Sequence, residues 1–118
     1  MIPAENLRDW RGQNVIDPDG SKIGELESVY VDTATDEPSF VAVRVGFIGR
    51  HRLVFVPVMG ATVSPDALRV RFDKKLVTAA PWIDTDGELS ADAEPEVYAH
   101  YDLPYTVGAT GERRLARR

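Results

Sequence analysis

The stretch Val45-Gly46-Phe47-Ile48-Gly49-Arg50-His51-Arg52-Leu53 places two glycines ahead of a basic cluster that holds one of only two histidines in a 118-residue chain. Two chemistries could use it. Glycines followed by cations could cradle a phosphate, and an imidazole could move a proton. A phosphate cradle needs backbone N–H groups that converge at a helix N-terminus, where the dipole adds about half a positive charge. After Gly49 the sequence runs instead into Leu53 to Val58, apolar at both parities, which reads as a strand covered on both faces. The two glycines are therefore expected to turn one antiparallel strand into the next. A general base also needs a partner to orient it and a substrate pocket, and the immediate neighbours of His51 are arginines. His100 sits in a run with Tyr98 and Tyr101 and reads as a partly packed surface histidine. The two histidines lack the close spacing of a zinc site.

Other reactive constellations fail in the same way. The chain has no cysteine, which removes disulfides, thiolate metal sites and thiol nucleophiles. No serine stands in a G-x-S-x-G elbow. Asp17-x-Asp19-Gly20 and Asp84-x-Asp86-Gly87 resemble the opening of a calcium loop, but that loop carries its glycine at position six and a bidentate Glu at position twelve. Here the glycine comes at the fourth position and the twelfth is Ser28 or Pro95, so both read as turns. The residues predict no enzyme, no cofactor and no metal.

The elements that would position any site are mostly short strands. Val15-Ile16 leads into the Asp17-Pro18-Asp19-Gly20 turn. The apolar positions Ile23, Leu26, Val29 and Val31 change parity, which predicts a bulge near Glu27-Ser28 in the strand from Ile23 to Asp32. Ser39 to Val45 alternates, with Val41, Val43 and Val45 on one face and Phe40, Ala42 and Arg44 on the other. Ala67 to Phe72 alternates again, with Leu68, Val70 and Phe72 inward and Arg69 and Arg71 outward. In the last third Asp73 is expected to cap a short helical turn stopped by Pro81. Asp92 is expected to cap a helix whose docking face is Val97, Tyr98 and Tyr101, with Glu94 and Glu96 at its positive end. Leu7 and Trp10 could share one helical face before Gly12. The fold class predicted is all-β: a small, strongly bent antiparallel barrel of about six strands with short C-terminal helical segments.

Charge divides the chain further. The net charge is −5, yet residues 76–112 carry eight acidic side chains and no Lys or Arg, and the final RRLARR holds four arginines. The organisation expected is an N-terminal segment 1–11, a barrel core 12–75, an acidic and aromatic extension 76–106 packed on the barrel, and a basic flexible tail 107–118. The longest nearly apolar run, Leu53 to Val63, is about half the length of a membrane-spanning helix. With no signal peptide and no cysteine, the expected compartment is the cytoplasm. An acidic chain repels nucleic acid at long range, although Arg50, Arg52 and RRLARR could still touch RNA.

The ordered segments GQNVIDPDGSKIGELESVYVD (12–32), EPSFVAVRVGFIG (37–49), RLVFVPVMGA (52–61), DKKLVTAAPWIDTDGELS (73–90) and YAHYDLPY (98–105) resemble the PRC-barrel domain. That domain is named for the cytoplasmic part of the photosynthetic reaction centre H subunit, and it also occurs in a ribosome maturation factor. The resemblance runs from about residue 7 to residue 106. It implies a small bent β-barrel used in binding or assembly, with no catalytic constellation to carry over. The sequence offers neither the membrane anchor of the H subunit nor a separate RNA-processing domain. The function expected is a protein-interaction module that self-associates, as a homodimer, or docks on a protein partner. The candidate contact residues are Arg44, Arg69, Arg71, Trp82, Tyr98, Tyr101 and Tyr105. A small-ligand barrel, with its pocket at a barrel end or subunit interface, and an RNA- or ribosome-associated factor are the alternatives.

Overall fold

The computed structural model describes residues 9–47, 49–105 and 113–117. Leu7 lies outside them, so the helical face expected for Leu7 and Trp10 is not settled, while Trp10 packs half-buried against the core. The described chain is mostly strand: β1 (Asn14–Ile16), β2 (Lys22–Asp32), β3 (Pro38–Phe47), β4 (Arg50–Pro57), β5 (Thr62–Ser64), β6 (Ala67–Arg69), β7 (Trp82–Asp84) and β8 (Leu115–Arg117). Two short helices, α1 (Lys74–Thr78) and α2 (Glu94–His100), complete it.

The local signals explain most of these elements. In the Asp17–Gly20 turn, Gly20 N–H donates to Asp17 O, and Gly20 takes a φ of +86°, which favours glycine. β3 and β4 pair in register from Phe40↔Pro57 to Phe47↔Arg50, leaving only Ile48-Gly49 between them. Gly49 has φ +82°, as a two-residue hairpin loop requires. The opening VGFIGRHRL is thus a hairpin, and His51 is an exposed strand residue opposite Gly46. The register of β2 on β3 slips between Leu26 and Ser28, where the parity change predicts a bulge.

The sheet differs from the expected barrel in three respects. It has eight strands instead of about six, since three-residue segments at Thr62, Trp82 and Leu115 are too short to show a period. Its order is β5-β6-β1-β2-β3-β4-β7, with β8 on β2, and it is a single sheet that does not close. One pair, β1 with β6, is parallel, where an all-antiparallel barrel is expected. β2 is long enough to serve two neighbours on one side: β1 pairs with Lys22–Glu25 and β8 with Tyr30–Asp32. The strand expected to reach Phe72 ends at Arg69, although Val70 N–H still donates to Ile16 O.

Both faces of the central strands are buried. Val41, Val43, Val54 and Val56 are fully covered on one face, and Phe40, Ala42 and Phe55 on the other. The second face receives α2: the Tyr98 ring meets Phe40 edge-on at 5.1 Å, and Tyr101 meets Phe72 at 4.9 Å. β7 pairs with β4 only as far as Val54, and the Tyr101 hydroxyl donates to Phe55 O (2.6 Å) one residue further on. The Asp73 carboxylate accepts from Leu76 N–H at 2.8 Å and caps α1, as expected. Asp92 does not cap α2. It lies inside a 3-10 turn, Ala91–Ala93, which occupies the positions a cap would need. No helix among the described residues is long and apolar enough to cross a membrane.

Candidate interaction face

The three outward arginines have different fates. Arg44 donates to Glu25 at 2.7 Å and lies 4.0 Å from Glu27, both on the neighbouring strand β2. The hydrogen bond from Arg44 holds the Glu25 carboxyl below the usual carboxylate range. Arg69 donates to Asp17 O and Pro18 O, so it covers the carbonyls of the first turn. Arg71 is exposed, its side chain lying over the Gly60 turn. Strand alternation puts all three outside, but it does not show that two of them are engaged within the chain.

The same turn is fixed from inside by Asp17, which is 4% exposed. One carboxylate oxygen accepts from the Asp19 and Ser21 amides, the other from the Lys74 amide at the start of α1. Burial pushes this carboxyl upward, and the amides of Ser21, Lys74 and Asp19 outweigh it, holding it below the usual aspartate range.

The aromatic candidates separate more sharply. Tyr98 and Tyr101 are buried in the chain's own core, and Tyr105 is half-buried with its hydroxyl donating to Glu94 at 2.7 Å. His100 joins this layer: its Nε2 faces Leu76 O at 2.6 Å, and because a carbonyl only accepts, that nitrogen carries the proton and ties α2 to α1. Trp82 behaves differently. It is 56% exposed on β7, one of the two end strands of the sheet, with the Arg52 guanidinium 6.0 Å from its ring centroid. Arg52 also donates to Thr78 O, which fixes it beneath the ring.

Glu94 lies in the first turn of α2, as expected, but nothing local in the sequence shows that it is fully buried. Oε1 accepts from Tyr105 Oη–H and from Arg114 N–H (2.8 Å), and Oε2 accepts from Leu115 N–H (3.1 Å). Arg113 Nε stands 3.9 Å from the carboxylate, and its guanidinium also donates to Leu89 O. Arg114 pairs with Asp32 at 2.8 Å. Residues 113–117 are therefore not a frayed basic tail: they form a strand on β2 with Leu115 fully buried. The contradictory charges of 76–112 and RRLARR were the available signal, because segments of opposite sign in one chain can neutralise each other at close range. Arg113 and Arg114, two of the cations that could touch RNA, are engaged by acids of the chain itself.

All four tyrosines are held above their ordinary pKa of 10, and desolvation is the first cause in each. Tyr105 is pushed up to about 12, by desolvation and then by its hydrogen bond to Glu94. The folded state thus favours the neutral phenols. Their contribution is fully present below pH 10 and is lost as the pH rises from there through the folded values. Tyrosinate absorbance is expected to rise together with loss of circular dichroism between pH 10 and 12, and Tyr105→Phe to move both to higher pH. Ionisation of all four tyrosines near pH 10 with the fold intact would contradict this.

These pieces amount to a bent single sheet, a sealed aromatic layer behind it and one exposed aromatic at its open edge. Among curated proteins none matches the chain. The family model for the PRC-barrel domain matches residues 3–77, more than half of the chain, and this bent β-sheet chain belongs to the PRC-barrel domain family.

Proposed function

We propose that the chain is a non-enzymatic interaction module that self-associates through the β7 edge of its sheet. One observation carries this reading: Trp82, more than half exposed, stands on an edge strand with Arg52 stacked beneath it. Trp and Arg are the side chains most enriched where a few residues supply most of an interface's binding energy. An edge strand also offers unpaired N–H and C=O groups to an incoming strand. In an antiparallel pairing of two β7 edges about Ile83, Trp82 of one copy would stand opposite Asp84 of the other, whose own register partner within its chain is Arg52. The buried Tyr98 and Tyr101 and the engaged Arg44 and Arg69 serve the module's own fold in this reading. The cytoplasm is the compartment the absence of cysteine favours.

The test is the oligomeric state of the full chain by sedimentation equilibrium across micromolar concentrations. The wild type is expected to dimerise and Trp82→Lys to weaken that by about thirtyfold or more, the scale of a truncated hot spot. Because Trp82 is exposed, folding stability should change by only about 0.5 kcal/mol. A wild-type chain that stays monomeric throughout overturns self-association.

A further inference from the structure

The edge of β2 that faces away from β3 is shared between two short strands. β1 covers Lys22–Glu25 and β8 covers Tyr30–Asp32. β8 pairs there through three residues only, Tyr30↔Arg117, Val31↔Ala116 and Asp32↔Leu115. Thr33 extends the contact: its amide donates to Arg114 O (2.8 Å) and its hydroxyl to Arg113 O (2.7 Å). Without β8 these groups would form an open strand edge, which is a template for an added strand.

The slot selects side chains as well as backbone. Arg114 pairs with Asp32 (2.8 Å), Arg113 stands 3.7 Å from Glu88 and 3.9 Å from Glu94, and Leu115 is fully buried. The acceptors are fixed by the rest of the chain. The Asp32 carboxylate also accepts from Ala34 N–H (2.7 Å), and Glu94 accepts from the Tyr105 hydroxyl, on a helix docked through Tyr98 and Tyr101. The slot also runs on beyond its occupant. β8 ends opposite Tyr30, and among the described residues no strand pairs with Glu27–Val29 on that side. A cavity of about 340 Å³, lined by Arg11, Glu27, Ser28 and Arg117, lies there.

We infer that this edge is a docking slot for an extended segment of a partner protein that carries two consecutive arginines and then an aliphatic residue, and that the chain's own Arg113–Arg117 holds it as a built-in competitor. Asp32, Glu88 and Glu94 select a basic segment and repel an acidic one. A tethered occupant acts at an effective concentration of about millimolar, so it lowers the apparent affinity for any segment supplied from outside. The same segment of a second copy has no advantage over the tethered one. A partner strand that continues past the position of Arg117 has one, because it gains the main-chain groups of Val29 and Ser28 that β8 does not reach. The inference is independent of the β7 reading, since it uses none of the same residues.

The probe is a fluorescein-labelled peptide, RRLARTVT, which copies residues 113–117 and adds three strand-forming residues. Two full-length variants weaken the competitor: Leu115→Asp, which places a charge at the buried position, and Arg114→Glu, which sets like charge against Asp32. Fluorescence anisotropy is expected to show saturable binding to both variants, at least tenfold tighter than to the wild type. The peptide should also raise the melting temperature of both. The shorter peptide RRLAR should bind the variants about tenfold more weakly, and a peptide with both leading arginines replaced by glutamate should not bind. A variant that unfolds must regain its melting transition when the peptide is added. Absence of both saturable binding and a rise in melting temperature overturns the slot, as does equal binding of the glutamate peptide. Binding to the wild type as tight as to the variants would show that β8 is no competitor. Equally tight capture of the wild-type chain by Leu115→Asp would assign the slot to a second copy and overturn the partner reading.

Discussion

Glu94→Ala is expected to lower folding stability by about 3–5 kcal/mol, the scale of breaking a buried charged network. Three donors converge on that carboxylate: the Tyr105 hydroxyl and the amides of Arg114 and Leu115. Alanine leaves all three facing an apolar void. Two of them belong to β8, and so the loss is not confined to α2: the strand that covers Tyr30–Asp32 loses its anchor, and Leu115, fully buried, is exposed when it leaves. Glu94→Gln separates charge from shape. Both oxygens of Glu94 accept, so the amide NH2 must confront a donor whichever way it is turned. An intermediate loss of about 1–3 kcal/mol is expected for it. Denaturant titration measures both losses, and amide hydrogen exchange at Arg114 and Leu115 locates them. Unchanged exchange at Leu115 in Glu94→Ala would show that β8 is held by its ladder alone.

Gly24→Ala is the second large effect, expected at about 3 kcal/mol, the upper end for overpacking. Gly24 lies in β2 where β3 crosses close to it. A Cβ there would stand well inside van der Waals contact of the Arg44 carbonyl oxygen and 2.9 Å from Val43 Cγ1. The nearer obstacle is backbone, which cannot rotate aside, so β2 and β3 must separate next to the Glu25–Arg44 pair. Gly24 has no positive φ, so alanine suits its backbone and the whole cost is steric. Gly20→Ala is the contrasting control. Its φ is +86° with open space around the site, so only conformational strain of about 1 kcal/mol applies. Equal losses at the two positions would mean that the close approach at Gly24 relaxes freely. Gly24 would then have no packing role.

The sequence carried those features that a few neighbouring residues decide. The hairpin at Ile48-Gly49, the bulge near Ser28, the Asp73 cap and the Val97, Tyr98, Tyr101 face of α2 were all legible. Each depends on φ preferences, side-chain parity or the helical repeat over fewer than a dozen positions. Trp82 was singled out by type alone, and the structure shows it exposed on an edge. Its sequence neighbours, apolar Ile83 and a proline, do not reveal which face would be covered.

Long-range return of the chain decided the rest. Parallel pairing of β1 with β6 joins residues some fifty positions apart, and nothing local in Asn14–Ile16 names Ala67–Arg69 as its partner. Arg69 reads as an outward cation, and only the fold brings the Asp17 and Pro18 carbonyls beneath it. RRLARR reads as a flexible basic tail, and the place of Glu94 in the first turn of its helix does not announce its burial, because burial of an ion is unfavourable until its partners are in place. By itself the sequence determined a bent β-sheet followed by an aromatic helix, since alternation, turn chemistry and the helical repeat are local. Only the tertiary structure decided which charges are inside, which tyrosines are buried and which end strand carries the exposed tryptophan, since those depend on what the distant segments bring to each surface.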